Sequence, residues 1–264
     1  MYLFRVKELI RYHLQSGYRK GHGIHSPFIF DLVSRVFRNK TDQSVVKQIE
    51  YLRKSMLSDK REISVKDFGA GSVVRKQNEG LRSVADIAKY SSIPQKYGEL
   101  LYNLAHEFGH GGILELGTSL GISTLYMALA MPQEKIYTVE GDENIAGIAG
   151  GNFKSLGTAN IVQYCGTFSE KLPEIFKTGV NAGLVFIDGD HRKEPLLKYF
   201  DIIAGNSSDK TVVVVDDIYL SPQMKEAWSE MRANSKVSVS IDIHRFGILF
   251  FRKGINRNHY IIRY

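Results

Sequence analysis

Five short apolar runs, each followed by a segment with helical periodicity, constrain this chain more than any other feature. They are ILEL at 113–116, KIYTVE at 135–140, NIVQY at 160–164, LVFID at 184–188 and TVVVVD at 211–216. Regular alternation of strand and helix predicts a parallel sheet with helices on both faces. Residues 236–243 and 246–251 then read as two strands joined too closely for a crossover helix, so they should pair antiparallel. We therefore predict an α/β, Rossmann-like doubly wound sheet of seven strands, five parallel plus a C-terminal antiparallel hairpin.

The first part of the chain predicts an N-terminal helical extension. Residues 1–58 show helical spacing of apolar residues, and Ser26-Pro27 has the form of a helix N-cap followed by proline. Residues 59–80 are polar and glycine-containing, which predicts a linker or surface loop. We place the extension and linker at 1–91 and the Rossmann-like domain at 92–264.

Two local patterns in this part receive no functional assignment. His22 and His25 have no further metal ligand of matching spacing nearby, so we expect them to pack within a loop. KDFGAGS at 66–72 imitates a nucleotide-binding turn but lacks a buried strand before it and an apolar helix after it.

Charge and cysteine usage limit the partners and the location. Residues 1–61 contain 13 Lys/Arg against 5 Asp/Glu, whereas the rest of the chain is close to neutral. This asymmetry is compatible with an anionic partner or with a solvated helical surface. The single cysteine, Cys165, excludes an intrachain disulfide, and no apolar run is long enough to span a membrane, so we expect a cytoplasmic protein.

The stretch GILELGTSLGIST at 112–124 predicts a ligand-binding turn. An apolar run meets glycines at Gly117 and Gly121 and then passes into a helical pattern. Glycines let a backbone approach a ligand closely, and the free N–H groups of a helix start face it. A purely structural turn has the same appearance, so the turn alone decides nothing.

Acidic residues recur where the predicted strands end. Glu115 lies near the end of the first strand, Glu140 closes the second, Asp188 the fourth, and Asp216 with Asp217 the fifth. Ligands of open α/β sheets bind beyond these carboxyl ends. Glu140 follows Gly117 by 23 residues, the spacing at which an acid accepts ribose hydroxyls.

The last three acids suit a hard divalent cation, because Mg²⁺ and Ca²⁺ prefer carboxylate oxygen. His191, three residues after Asp188, is a candidate general base, since imidazole titrates near neutral pH. A loop histidine that only hydrogen-bonds an acid is the structural alternative.

The motifs ILELGTSLGIST, YTVEGDE, LVFIDGDH and VVVVDD, with the closing FGILFF, resemble the class I S-adenosylmethionine-dependent methyltransferases over roughly residues 93–252. Within that class they are similar to the catechol and caffeoyl-CoA type O-methyltransferases. The resemblance implies S-adenosylmethionine as cofactor, with Mg²⁺ or another divalent cation left open, and a small-molecule hydroxyl as acceptor.

Carried over by position, the resemblance implies three sets of residues. The cofactor would contact Glu115, Gly117, Thr118, Ser119, Gly121, Glu140, Gly141, Gly166, Thr167, Ser169 and Asp188. The catalytic pair would be His191 and Asp188, and the metal ligands would be Asp188, Asp216 and Asp217. The family usually has Asp-Asn in place of Asp216-Asp217, and often lysine in place of His191.

The sequence thus predicts a methyltransferase acting on an oxygen of a small molecule, with metal assistance and an anionic group on the acceptor left open. A methyltransferase for RNA or protein, an NAD-type Rossmann oxidoreductase and a binding protein without turnover remain alternatives. Nucleic acid is disfavoured because no recognisable nucleic-acid module is present. A homodimer is compatible with the sequence and is also left open.

Overall fold

Helices and strands alternate along the chain in a computed structural model that describes residues 1–17, 26–66 and 79–264. The helices in these residues are α1 Tyr2–Gln15, α2 Pro27–Asp31 continuing as a π-helix over Leu32–Phe37, α3 Gln43–Leu57, α4 Val84–Ser91, α5 Gln95–Phe108, α6 Ile122–Ala130, α7 Glu143–Ser155, α8 Phe168–Lys177, α9 Lys193–Gly205 and α10 Pro222–Ala233. The strands are β1 Glu62–Lys66, β2 Glu79–Ser83, β3 Ile113–Leu116, β4 Ile136–Glu140, β5 Ile161–Cys165, β6 Leu184–Ile187, β7 Val212–Val215, β8 Val239–Asp242, β9 Gly247–Phe250 and β10 Asn258–Ile261.

The main sheet has eight strands in the order β10-β8-β9-β7-β6-β3-β4-β5. Strands β3 to β7 are mutually parallel, as predicted, and β3 lies between β4 and β6. The chain order therefore reverses at β3, which makes the turn after β3 the topological switch point where such sheets bind ligands. The hairpin of β8 and β9 is antiparallel, and β9 also pairs antiparallel with β7.

The predicted count of seven strands is wrong by one, because β10 adds an eighth strand parallel to β8. Its sequence, NHYI, lacks the apolar run that marks the interior strands, since an edge strand has only one neighbour. Helix α1 secures this edge: the Tyr12 hydroxyl donates to the Ile262 carbonyl at 2.7 Å, and Gly17 forms a β-bridge with Ile262.

Two apolar cores cover the two faces of the sheet. In β6, Leu184 and Phe186 belong to one core, and Val185 and Ile187 belong to the other. Helices α2 to α7 contribute to the first core, and α8 to α10 contribute to the second. The N-terminal helices thus share the core of the sheet, while the division of the chain at residue 91 stays a prediction.

The expectation of a linker or loop over residues 59–80 is wrong in part. Strands β1 and β2 form an antiparallel ribbon, with Glu62 opposite Ser83 and Lys66 opposite Glu79. The Lys66 N–H donates to Asp142 at 2.8 Å, which attaches the ribbon to the loop after β4. In β1, Ile63 and Val65 alternate with polar residues, and Val65 is buried in the first core, so a strand signal was present in a stretch that reads as polar overall. His22, His25 and the KDFGAGS motif beyond Lys66 lie outside the described residues.

Helix α1 contacts the protein along one face only. Buried Glu8 forms an ion pair with Lys225 at 2.7 Å, whereas Leu3, Ile10 and Leu14 are 82%, 55% and 82% exposed. A homodimer stays a prediction.

Within the described ranges, we find no helix with both the length and the apolar character to cross a membrane.

Gly183 provides a test of the packing before β6. A Cβ at this position would overlap the carbonyl oxygens of Phe108 and His110, backbone atoms that cannot move aside. We expect Gly183→Ala to lower the free energy of unfolding by about 2–3 kcal/mol. Gly147→Ala in α7, where a Cβ meets no atom within 4 Å, should raise it by about 0.5–1 kcal/mol. Urea unfolding measures both, and equal effects of the two variants would contradict the packing.

Candidate active site

The turn after β3 is held tightly against two neighbouring strand ends. The N–H groups of Gly117 and Thr118 both donate to the Val139 carbonyl, at 3.0 and 3.2 Å. Gly117 has a φ of 106°, and a Cβ there would overlap the Asp188 carbonyl oxygen at the end of β6. Only glycine allows this approach, so the turn fixes the distance between the ends of β3 and β6.

Glu115 lies beneath this turn and is fully buried. Its carboxyl group accepts hydrogen bonds from Ser123 at 2.5 Å, Thr124 at 2.5 Å and Thr138 at 2.6 Å. Burial raises the pKa of Glu115 to about 7, although the three hydroxyl groups oppose the shift. The Thr118 hydroxyl, also buried, shares a 2.6 Å hydrogen bond with Thr138.

These contacts give two of the predicted cofactor residues a structural role. Glu115 and Thr118 are 0% and 1% exposed, and contact of their side chains with the cofactor stays a prediction. They join β3, β4 and the first turn of α6, and so they position the turn. Contact with a ligand through the Thr118 backbone stays a prediction.

Ser119 and Glu140 form the open side of the turn. The Ser119 N–H donates to Glu140 Oε2 at 2.8 Å, and the Asp142 N–H donates to Oε1 at 3.1 Å. Burial raises the pKa of Glu140, and these two N–H groups oppose the shift. Each carboxylate oxygen retains acceptor capacity. The buried Ser119 Oγ has no partner in the described part of the chain, so it fits a ligand acceptor such as a carboxylate.

The segment after β5 places the other predicted contacts. The Gly166 N–H donates to the Glu140 carbonyl at 2.9 Å, which brings Gly166 next to Glu140 and Gly141. Thr167 forms a capping box with Glu170 at the start of α8, so its hydroxyl group has a structural partner. Ser169 is exposed in the first turn of α8. Cofactor contacts by this segment stay predictions.

The predicted catalytic pair is close together. His191 Nε2 lies 3.7 Å from Asp188 Oδ1, and both side chains are about one-fifth exposed, at 22% and 20%. Buried Asp190 orders the intervening loop by binding Arg192 at 2.5 Å and the Tyr199 hydroxyl at 3.0 Å. Both members of the pair can therefore reach a ligand at the carboxyl edge of the sheet.

The three acids predicted to bind a metal converge, but a guanidinium group already lies among them. Arg245 Nη2 is 2.6 Å from Asp216 Oδ2, and the Asp217 N–H donates to Asp216 Oδ1 at 2.7 Å. Asp216 is fully buried, so both of its oxygens are engaged and neither is accessible. No described group of three or more His, Cys, Asp or Glu has the arrangement of a metal site. These residues do not fit the predicted Mg²⁺ site, and no catalytic step is derived through a metal.

Burial governs the protonation of these acids. It raises the pKa of Asp188 to about 7, and the positive charge of Arg245 opposes that shift. The pKa of Asp216 is also raised, first by burial and then by the negative charge of Asp188. The negative charge of Asp188 thus opposes ionisation of Asp216.

Sequence reasoning missed the residues that the β8–β9 turn supplies. The Tyr97 ring lies 5.5 Å from the Arg245 guanidinium. His244 packs between Tyr12 and Tyr219, with ring centroids at 5.2 and 5.5 Å, and its buried Nδ1 has no partner among the described residues. The only feature of the sequence that could have indicated these residues was the predicted hairpin. A strand that pairs antiparallel with a parallel strand brings its preceding turn to the carboxyl edge of the sheet.

A surface depression of about 410 Å³ beside Lys135 and Asn160 lies at the opposite edge of the sheet.

Solved O-methyltransferase structures share the Rossmann-like α/β architecture described above. Residues 114–218 match a family model described as a methyltransferase domain. The match agrees with the resemblance to methyltransferases seen in the sequence.

Particular relatives agree with that class. A catechol O-methyltransferase from Niastella koreensis is 33% identical over 130 residues, which cover 48% of this chain and 58% of the relative. The aligned part of the chain thus spans less than two-thirds of that relative. The O-methyltransferase TomG from Streptomyces achromogenes, solved with SAM, is 20% identical with a TM-score of 0.57, over 85% of this chain and 95% of TomG. An O-methyltransferase from Bacillus cereus, solved with SAH, is 18% identical with the same TM-score of 0.57, over 86% and 97%. At these identities the two structures establish the fold alone.

Glu115→Gln tests the positioning role. Because the pKa of Glu115 is raised in the folded protein, its protonated form stabilises the fold at low pH, and this stabilisation is lost as pH rises through about 7. Between pH 5 and pH 8, ionisation of Glu115 should lower the unfolding free energy of the wild type by up to about 3 kcal/mol. The variant should lack this decrease.

The affinity of Glu115→Gln for S-adenosylhomocysteine should stay within about threefold of wild type, as for the control Glu107→Gln on the surface of α5. Urea unfolding at both pH values and calorimetry measure these effects. An unchanged pH dependence of the unfolding free energy would refute the assignment.

Proposed function

We propose that this protein is an S-adenosylmethionine-dependent methyltransferase that methylates a hydroxyl oxygen of a small molecule. The observation that carries the proposal is the open side of the glycine turn. There the Glu140 carboxylate accepts a hydrogen bond from the Ser119 N–H at 2.8 Å, and the Ser119 hydroxyl has no hydrogen-bond partner among the described residues. An acid for ribose hydroxyls and a free donor for a carboxylate are the groups that this cofactor requires.

Each end of the cofactor has a matching group on the chain. Glu140 would accept from the ribose hydroxyls, and Gly141, Gly166 and Ser169 would lie beside the adenine. The Ser119 hydroxyl and the first-turn N–H groups of α6 would receive the carboxylate, because a helix start favours negative charge. S-Adenosylmethionine, when bound, supplies a methyl group on a positively charged sulfur.

His191 would act as general base at the acceptor oxygen. Its Nε2 takes the hydroxyl proton while the acceptor oxygen bonds to the methyl carbon and the carbon–sulfur bond breaks. Asp188, 3.7 Å from His191, stabilises the imidazolium that results. Catalysis then depends on alignment of the acceptor with the methyl group, which the rigid strand ends provide.

The acceptor would be a small molecule, and the Lys/Arg excess of residues 1–61 supports an anionic group on it. Nucleic acid as acceptor is disfavoured by the absence of a recognisable module in the sequence. A salt-sensitive association with RNA would favour that alternative. The cytoplasmic location and a homodimer remain proposals.

Glu140→Ala tests the cofactor site. The variant loses acceptors for two hydroxyl groups, and hydrogen bonds to charged groups contribute about 1.5–3 kcal/mol each. We expect calorimetry to show S-adenosylhomocysteine affinity lowered at least about 30-fold. Glu143→Ala, an exposed acid three residues away, should bind like wild type. Stabilisation of the wild type by NAD⁺ instead of S-adenosylhomocysteine would replace this proposal with an oxidoreductase.

His191→Gln tests the general base. Loss of a positioned base typically lowers the rate about 10²–10⁴-fold. We therefore expect single-turnover methylation of the best acceptor in a phenol and alcohol panel to fall by that factor, with cofactor affinity unchanged. His106→Gln, at an exposed histidine of α5, is the matched control. A variant with wild-type turnover would assign His191 to loop packing.

A further inference from the structure

Arg245 occupies the place where the strand-end acids would otherwise converge on a cation. The antiparallel course of β9 puts Gly247 opposite Val215, the last residue of β7, so the turn before β9 lies beside Asp216. The Ile218 N–H donates to the Arg245 carbonyl at 3.4 Å, which ties this turn to the segment after β7. Arg245 is therefore a fixed part of the carboxyl edge.

The guanidinium group of Arg245 is bound by Asp216, but not all of its N–H donors have a hydrogen-bond partner in the described part of the chain. One nitrogen binds Asp216, the Tyr97 ring packs 5.5 Å away, and the side chain remains 25% exposed. Its buried Nε has no partner among the described residues. Guanidinium carries five N–H donors in a rigid fork, so donors remain for a ligand oxygen.

We propose that Arg245 is the built-in cation of the acceptor site, in place of a divalent metal ion, and that the site takes acceptors with an acidic, phenol-type hydroxyl. This inference rests on the proposed function, whose cofactor site is formed by other residues. A guanidinium has one delocalised charge, so it lowers the pKa of a neighbouring hydroxyl less than a divalent ion does. The hydroxyl must then already be acidic, as in a phenol with a pKa near 10. A vicinal diol is not required, because no metal is chelated.

In the reaction, Arg245 would hold the acceptor oxygen as the proton leaves for His191. The oxygen's electron pair forms the bond to the methyl carbon, and the electrons of the carbon–sulfur bond stay on sulfur. The acceptor becomes a methyl ether and the cofactor becomes S-adenosylhomocysteine, so no further reactant is needed.

Mn²⁺ titration of the protein saturated with S-adenosylhomocysteine tests the cation assignment, with calorimetry and electron paramagnetic resonance as readouts. Wild type should bind no Mn²⁺ up to millimolar concentration. Arg245→Gln should gain a site, because three carboxyl groups then lack a cation, and the added substitution Asp217→Asn should remove it. Arg252→Gln, an exposed arginine just after β9, is the matched control and should resemble wild type.

Two results would overturn the assignment: Mn²⁺ binding by wild type that Asp188→Asn abolishes, or no Mn²⁺ binding by a folded Arg245→Gln. Failure of S-adenosylhomocysteine to bind wild type would instead refute the proposed function, so the two failures are distinguishable. Thermal unfolding establishes that each variant is folded, and Arg245→Lys, which keeps the charge, should resemble wild type in excluding Mn²⁺.

The absorbance of 4-nitrophenol tests the acceptor class at a pH where half of the free probe is ionised. The complex of wild type with S-adenosylhomocysteine should bind the probe mainly as the anion, with the bound pKa lowered by at least one unit. Arg245→Gln should weaken binding of the anion about tenfold or more while leaving cofactor affinity unchanged. Equal affinity of wild type and Arg245→Gln for the probe, or no binding by wild type at millimolar concentration, would overturn the assignment.

Discussion

The hydrogen bonds of one buried carboxyl group organise the centre of this protein. Glu115 on β3 accepts from Ser123 and Thr124 in the first turn of α6 and from Thr138 on β4. A buried carboxyl group is stable only when its oxygens are hydrogen-bonded, so these three elements must keep their relative positions. The glycine turn lies directly above this cluster. Its geometry, and with it the proposed cofactor site, depends on a residue that no ligand needs to touch.

The second constraint is electrostatic and lies across the switch point. Asp188, Asp216 and Asp217 meet at the ends of β6 and β7, where burial disfavours the ionised forms of Asp188 and Asp216. The positive charge of Arg245 reduces the repulsion among the acids. A free metal ion would supply more charge but must be acquired from solution. The arginine is always present and always charged, which suits a site that stabilises an oxygen anion.

Much of the architecture followed from local pattern. The parallel strands β3 to β7 are found within about one residue of their predicted bounds, because strands covered on both faces favour continuous apolar runs. His191 and Asp188 were expected together, since they are three positions apart in one loop. The edge strand β10 was missed because its sequence, NHYI, has no apolar run. Strand β1 was missed although Ile63 and Val65 alternate with polar residues, because the surrounding stretch is polar and contains glycine. The sequence did not show that a guanidinium group lies among the predicted metal ligands, because Arg245 is 29 residues from Asp216.

The sequence by itself determined the strand–helix alternation, the glycine turn and the acids at the strand ends, because each depends on residues a few positions apart. The tertiary structure alone decided which strands are neighbours. Apolar periodicity specifies which faces of a strand are buried, but the order of strands depends on contacts between distant segments. The insertion of β9 between β7 and β8 is such a choice. It brings Arg245 to Asp216. A guanidinium group therefore lies among the acids that the sequence alone predicts as metal ligands.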